Sequence, residues 1–179
     1  MTPRRNAGFT LIELMIAITI AGVLLGIALP AYSAAKAAAQ TQTLRDALLG
    51  ALLESRNAAV LYENDTILCP SSDGLYCAES FEWQHGFIAA IDLNNNERVD
   101  DADRRLLYRR ETKDVRLLTS SGRKRIQFQP NGSNAGSNAT FTFCDGRGPT
   151  RAISLVMNNR GDLREARPSA SAVAAACAI

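Results

Sequence analysis

The stretch Phe9–Leu29, FTLIELMIAITIAGVLLGIAL, decides how the rest of the chain is read. It holds a single charged side chain, Glu13. At 1.5 Å per residue, a helix of this length spans about 31 Å, which matches the hydrocarbon core of a bilayer. In front of it stands MTPRRNAG, with Arg4 and Arg5. Basic residues beside an apolar span stay cytoplasmic, so the chain beyond Leu29 is expected on the far side of the membrane. A secretory signal peptide places a small-x-small cleavage site after its apolar run. This run ends instead at Leu29-Pro30 and leads into an Ala-rich helical sequence.

Glu13 is the physical oddity of the span. A carboxylate in a lipid-facing helix costs several kcal/mol, so it marks a functional position with a partner. A cut after Gly8 would leave an α-amino group on Phe9, a cation that one subunit could offer to Glu13 of another. The competing reading is an ordinary anchor that tolerates one acid near the interface.

The string Gly8-Phe9-Thr10-Leu11-Ile12-Glu13-Leu14 resembles the class III leader of type IV pilins and type II secretion pseudopilins. In that family a prepilin peptidase cuts after the glycine and methylates the new N-terminal amine. The glutamate then pairs with a neighbouring subunit's N-terminus in the filament. The resemblance implies that Gly8 is the cleavage position, Phe9 the methylated residue and Glu13 the assembly carboxylate. It also implies prepilin peptidase, other pilins and the bacterial inner membrane as partners. Residues 1–8 are then a leader, 9–29 a transmembrane and assembly helix, 30–62 its amphipathic continuation, and 63–179 a periplasmic β-rich domain that enters a pilus or pseudopilus.

Residues 31–62 are rich in good helix formers. Leu44, Leu48 and Leu52 recur at helical spacing with Leu49 and Leu53 beside them, one apolar stripe that should pack on a domain. Pro30 removes one helical hydrogen bond and, with Gly22 and Gly26, marks a weak point where a bend is expected. In the resembling family, helices melt locally here when packed into filaments.

Leu44–Cys69 resembles the GspH/FimT branch of that family, where a helix with a Ser-Arg pair (here Ser55-Arg56) precedes a strand ending in cysteine. Trp83-Gln84-His85-Gly86-Phe87-Ile88, running into Asp92-Leu93-Asn94-Asn95-Asn96, resembles the same branch. Its members are secretion pseudopilins and minor pilins.

Beyond residue 64 the periodicity is that of strands. Candidates are Thr66–Cys69, Gly86–Asp92, Arg105–Arg110, Val115–Leu118, Arg125–Gln129, Ala139–Cys144, Arg151–Met157 and Asp162–Arg167. Short antiparallel strands packed on a long helix define an α+β class, and the resemblance implies the type IV pilin-like fold. The tail 168–176 is an Ala/Ser-rich low-complexity segment that Cys177 could tie down.

The chain's four cysteines allow three pairings. In an oxidising compartment the simplest joins Cys69 to Cys77 and leaves Cys144 with Cys177.

Asp92, Asn94, Asn96, Asp100 and Asp103 stand at positions 1, 3, 5, 9 and 12 of an EF-hand-like loop, which makes calcium a candidate ligand. Glu97 replaces the turn glycine and Asp103 the bidentate glutamate. A turn closed by Asx hydrogen bonds explains the same residues.

The chain carries a formal net charge of +2, which excludes polybasic tail proteins. Its acidic residues gather in 63–120 and its basic ones in 121–179. Arg147, Arg151, Arg160, Arg164 and Arg167 form a candidate surface for double-stranded DNA, since guanidinium groups neutralise phosphates whatever the base sequence. Some minor pilins of this branch bind DNA for natural transformation through a G-R-x-R motif. The nearest match here, Gly161-Asp162-Leu163-Arg164, has aspartate in place of the first arginine. The alternative function is thus DNA uptake, with a solvated charged face as the plainer reading of the same arginines.

Catalysis is not expected. The one histidine, His85, argues against a His-based triad or a multi-His metal centre. Asp100, Asp101 and Asp103 lie in a hydrophilic run that gives no reason for raised pKa values. No glycine loop of phosphate-cradling form is present, and no cofactor is called for.

Overall fold

The computed structural model describes residues 10–134, 136 and 138–178. Gly8 and Phe9 lie outside the described residues. The chain divides into two compact units, residues 1–36 and 37–179.

Helix α1 runs Leu11–Tyr62 and continues through Pro30. In the first unit it presents its apolar side chains outward, from Leu11 and Ile12 to Ile27 and Leu29. By length and composition this part is apolar enough to cross a membrane. A helix apolar on all sides is stable when lipid or other helices surround it.

In the second unit α1 buries one stripe: Thr41, Leu44, Leu48, Ala51, Leu52, Ser55, Ala58 and Ala59. The spacing of four, three and one is that of a single helical face. Leu53, expected beside the stripe, is instead exposed, and Leu49 is half-buried. These two sit about 100° further round the helix than Leu48 and Leu52, past the edge of the packed face.

Eight strands follow: β1 Thr66–Pro70, β2 Gly86–Ile91, β3 Arg104–Arg110, β4 Val115–Thr119, β5 Ile126–Phe128, β6 Ala139–Asp145, β7 Ile153–Met157 and β8 Leu163–Ala166. They form two antiparallel four-stranded sheets, ordered β3-β2-β1-β5 and β4-β6-β7-β8. The alternation in Ile126-Gln127-Phe128 and Thr140-Phe141-Thr142-Phe143 places the aromatic rings on the inner faces. Residues 151 and 152, expected in a strand, belong to or follow a 3-10 turn, Pro149–Arg151. Pro149 supplies the fixed φ that starts such a turn.

The main core joins the α1 stripe to both sheets. Leu44, Leu48 and Leu52 meet Phe87, Phe128, Phe141, Phe143 and Trp83. Trp83 is fully buried, stands edge-on to Phe141 at 5.2 Å, and donates its indole N–H to the Thr119 hydroxyl at 3.3 Å. Strands β1 and β2 are buried on both faces. Their outer side chains, Ile67, Cys69, Ile88 and Ala90, lie with Val99 and Cys77 in a second small core.

The tail differs from expectation. Helix α2, Ala170–Ala176, forms where the sequence reads only as low complexity. Ser169 caps it by accepting a hydrogen bond from the Ala172 N–H at 3.2 Å.

Candidate functional site

Thr10 and Glu13 form a capping box at the start of α1. The Glu13 carboxylate accepts from the Thr10 backbone N–H and from its hydroxyl, both at 2.9 Å. The Thr10 hydroxyl in turn accepts from the Glu13 N–H at 3.3 Å. Two donors left over at the helix start are satisfied, and Glu13 is held at the N-terminal end of the apolar segment.

The disulfides are Cys69–Cys77 and Cys144–Cys177. The first anchors the 70–85 loop on β1. The second ties the end of α2 to β6.

Asp145, at the end of β6, links that strand to α1 and to the turn that follows it. Its side chain is 2% exposed. It accepts from the Arg147 side chain at 2.7 Å and from the Arg147 N–H at 2.9 Å. The Thr41 hydroxyl of α1 also donates to it. The Arg147 guanidinium holds the Asp145 pKa down at about 2, against the cost of burial, with help from Thr41. Its main partner, Arg147, is two residues along the chain; only the Thr41 contact comes from a distant segment.

The candidate DNA residues separate into two groups. Arg147, Arg151 and Arg167 line one groove of about 750 Å³, together with Arg45 of α1. Glu165 in the same groove pairs with Arg45, while the Arg151 and Arg167 side chains have no ion pair or hydrogen bond among the described residues. Arg160 and Arg164 do not line this groove. Arg160 projects from the Asn158–Asp162 turn and pairs with Asp162 at 3.5 Å, while Arg164 is exposed on β8. Gly161, at φ 81°, makes that turn; a Cβ there would meet the Phe128 ring at 3.3 Å. Asp162 accepts from the Asn158 side-chain amide, which is the main reason its pKa is lowered. Sequence reasoning misses Arg45 because it reads as an ordinary helix-surface charge.

Asp92, Asn94, Asn96, Asp100 and Asp103 do share one loop. Asp92 accepts from the N–H groups of Asn96 and Glu97, at 3.2 and 2.8 Å. Asp103 accepts from those of Leu93 and Asp100, at 3.1 and 2.9 Å. Asp100 takes the Ala102 N–H and the amide groups of Asn94 and Asn96, which together lower its pKa. Both asparagines thus turn N–H donors toward Asp100, where a cation would need oxygens. Glu97 takes the positive φ, 59°, that glycine holds in such loops. Among the described residues no group of three or more His, Cys, Asp or Glu is arranged to hold a metal. The hydrogen bonds are those of Asx turns.

The family described as Type II transport protein GspH matches residues 45–161, and the prokaryotic N-terminal methylation motif matches residues 3–29. A search of curated proteins finds no match. Among solved structures, the type IV minor pilin FimU of Pseudomonas aeruginosa aligns with a TM-score of 0.54 at 16% identity, covering 70% of this chain and 91% of FimU. A second crystal form of FimU gives 0.54 at 14% identity over 74% of this chain and 89% of FimU. The minor pseudopilin EpsH of the Vibrio cholerae type 2 secretion system aligns at 0.48 and 13% identity, over 74% of this chain and 98% of EpsH. The likeness to FimU extends to the fold: a long N-terminal helix packed on antiparallel sheets. With its methylation motif at the front and the GspH match over most of the remaining residues, the chain belongs to the GspH family.

Proposed function

We propose that this protein is a non-catalytic filament subunit, cut after Gly8 and methylated on Phe9 by a prepilin peptidase. It waits in the inner membrane with its β-rich domain in the periplasm, and then joins a type IV pilus or a type II secretion pseudopilus. The observation that carries this reading is the placement of Glu13. One acid sits at the N-terminal end of the apolar first part of α1, whose side chains face outward, inside a stretch matching the N-terminal methylation motif. In lipid that carboxylate needs a counter-charge, and a neighbour's terminal amine supplies one.

Mass spectrometry of the protein isolated from membranes tests the processing. Methyl-Phe9 at the N-terminus is the expected result, and an intact Met1 contradicts it. Replacing Glu13 with valine should abolish filament incorporation while leaving membrane insertion unchanged.

The groove favours a second reading, capture of double-stranded DNA during uptake. Arg151 and Arg167 stand in it without ionic partners among the described residues, beside Arg147 and Arg45. Each phosphate contact contributes about 0.9 to the slope of log affinity against log salt. Replacing Arg151 and Arg167 with glutamate should flatten that slope, whereas the same change at Arg160 and Arg164 should leave it. Equal effects from the two pairs would remove the groove from the account.

A further inference from the structure

Two sheets leave four edge strands: β3, β5, β4 and β8. The β4 edge is closed by the 81–84 segment. The Trp83 N–H donates to the Leu117 carbonyl at 2.8 Å, and the Thr119 N–H donates to the Phe81 carbonyl at 3.0 Å. Strands β5 and β8 are three and four residues long. Strand β3 has seven residues, and among the described residues only β2 makes backbone hydrogen bonds to it.

Four of those seven residues are arginines: Arg104, Arg105, Arg109 and Arg110. Arg104 lies over the Tyr62 ring at 4.8 Å, and Arg105 pairs with Asp101 at 3.3 Å. The Arg109 and Arg110 side chains make no ion pair or hydrogen bond among the described residues. A bulge falls between the partners of Ala89 and Ala90, after which the ladder is regular over Leu107–Arg110.

An open edge invites pairing with another chain, and charge decides which. Two copies of β3 set antiparallel would place arginine against arginine. The other strands of this chain offer no acidic complement. Their only acidic residues are Asp145 and Glu165, already paired with Arg147 and Arg45. The edge therefore repels its own copies and attracts a strand of opposite charge.

We propose that the outer edge of β3, through Leu107–Arg110, receives an extended acidic segment of a different pilin subunit by strand addition. Main-chain hydrogen bonds supply the affinity, while Arg109 and Arg110 select the partner and set its register. The proposal rests on the filament reading for the identity of the partner alone. Failure of the Glu13 experiment would sink that reading without touching the edge, and peptide binding tests the edge without a filament.

The full-length protein in detergent micelles is titrated with a peptide of alternating glutamate and valine, and amide hydrogen exchange is read along β3. Outward amides in 107–110 should exchange more slowly with the peptide bound, and binding should weaken with salt. The R109E/R110E protein should bind about tenfold more weakly. If that pair fails to fold by circular dichroism, R109Q/R110Q should show a smaller loss in the same direction. Equal binding of an alternating lysine–valine peptide, unchanged exchange at β3, or undiminished affinity in the folded variant would each overturn the proposal. Protection of the β3 amides by duplex DNA but not by the acidic peptide would overturn it too, making the edge a nucleic-acid surface.

Discussion

Thr10 and Glu13 cap each other at the first turn of α1, the carboxylate accepting both the N–H and the hydroxyl of Thr10. The residue proposed to act in filament assembly thus has an occupation within its own subunit. Pairing with a neighbour's amine would have to compete with this box, so Thr10 bears on how freely Glu13 can be offered. Thr10→Val removes the hydroxyl and should weaken the helix start by about 1 kcal/mol. The expected outcome is roughly fivefold faster amide exchange in the first turn, with the rest of α1 unchanged. Unaltered exchange would mean that the box contributes nothing to the helix end.

Asp145 should set the acid limit of the second unit. Its pKa is about 2 when folded and near the ordinary 3.8 when unfolded. A depressed folded pKa gives stability that is fully present above about pH 4 and is lost as pH falls through about 2. The difference is worth about 2 kcal/mol for this buried group. Denaturant unfolding between pH 2 and pH 7 should show that loss. Asp145→Asn should flatten this acid limb and lower stability at pH 7, by leaving Arg147 without its partner.

Cys144–Cys177 is expected to hold α2 in place. The helix is seven residues long and buries only Ala176. With a sequence separation of 33 between the cysteines, the bridge removes about 3–4 kcal/mol of chain entropy from the unfolded state. The Cys144→Ser/Cys177→Ser protein should lose stability of that order and become open to proteolysis after residue 167. Resistance equal to that of the wild type would show that packing alone secures the tail.

Trp83 reports on the core. It is the single tryptophan and is fully shielded, so its emission should be blue-shifted in the folded protein and move to the red on unfolding. Trp83→Phe deletes the bond to Thr119 and should cost about 1 kcal/mol. Trp83→Ala should cost about 3–5 kcal/mol through the cavity against Phe87 and Phe141.

Much of the architecture can be read along the chain, because it follows local rules. The apolar span, the Leu44–Leu48–Leu52 stripe and all eight strands come from apolar runs, periodicity and turn residues, which each segment shows by itself. Helix α2 escapes that reading because its ASAVAAA sequence carries no apolar–polar period. Leu53 is misplaced for a related reason: a hydropathy stripe has no sharp edge until a sheet covers part of it.

By itself the sequence determined the long helix, the position of the lone acid in the apolar span and the strand inventory, since these depend on neighbours a few residues away. Only the tertiary structure decided which charges share a surface. It gathered Arg45 with Arg147, Arg151 and Arg167, set Arg160 and Arg164 apart, buried Asp145 under Thr41, and left β3 as the open basic edge. The physical reason is that such groupings arise from strand order and from the packing of α1 on the sheets. Contacts between residues about a hundred positions apart leave no mark in local composition.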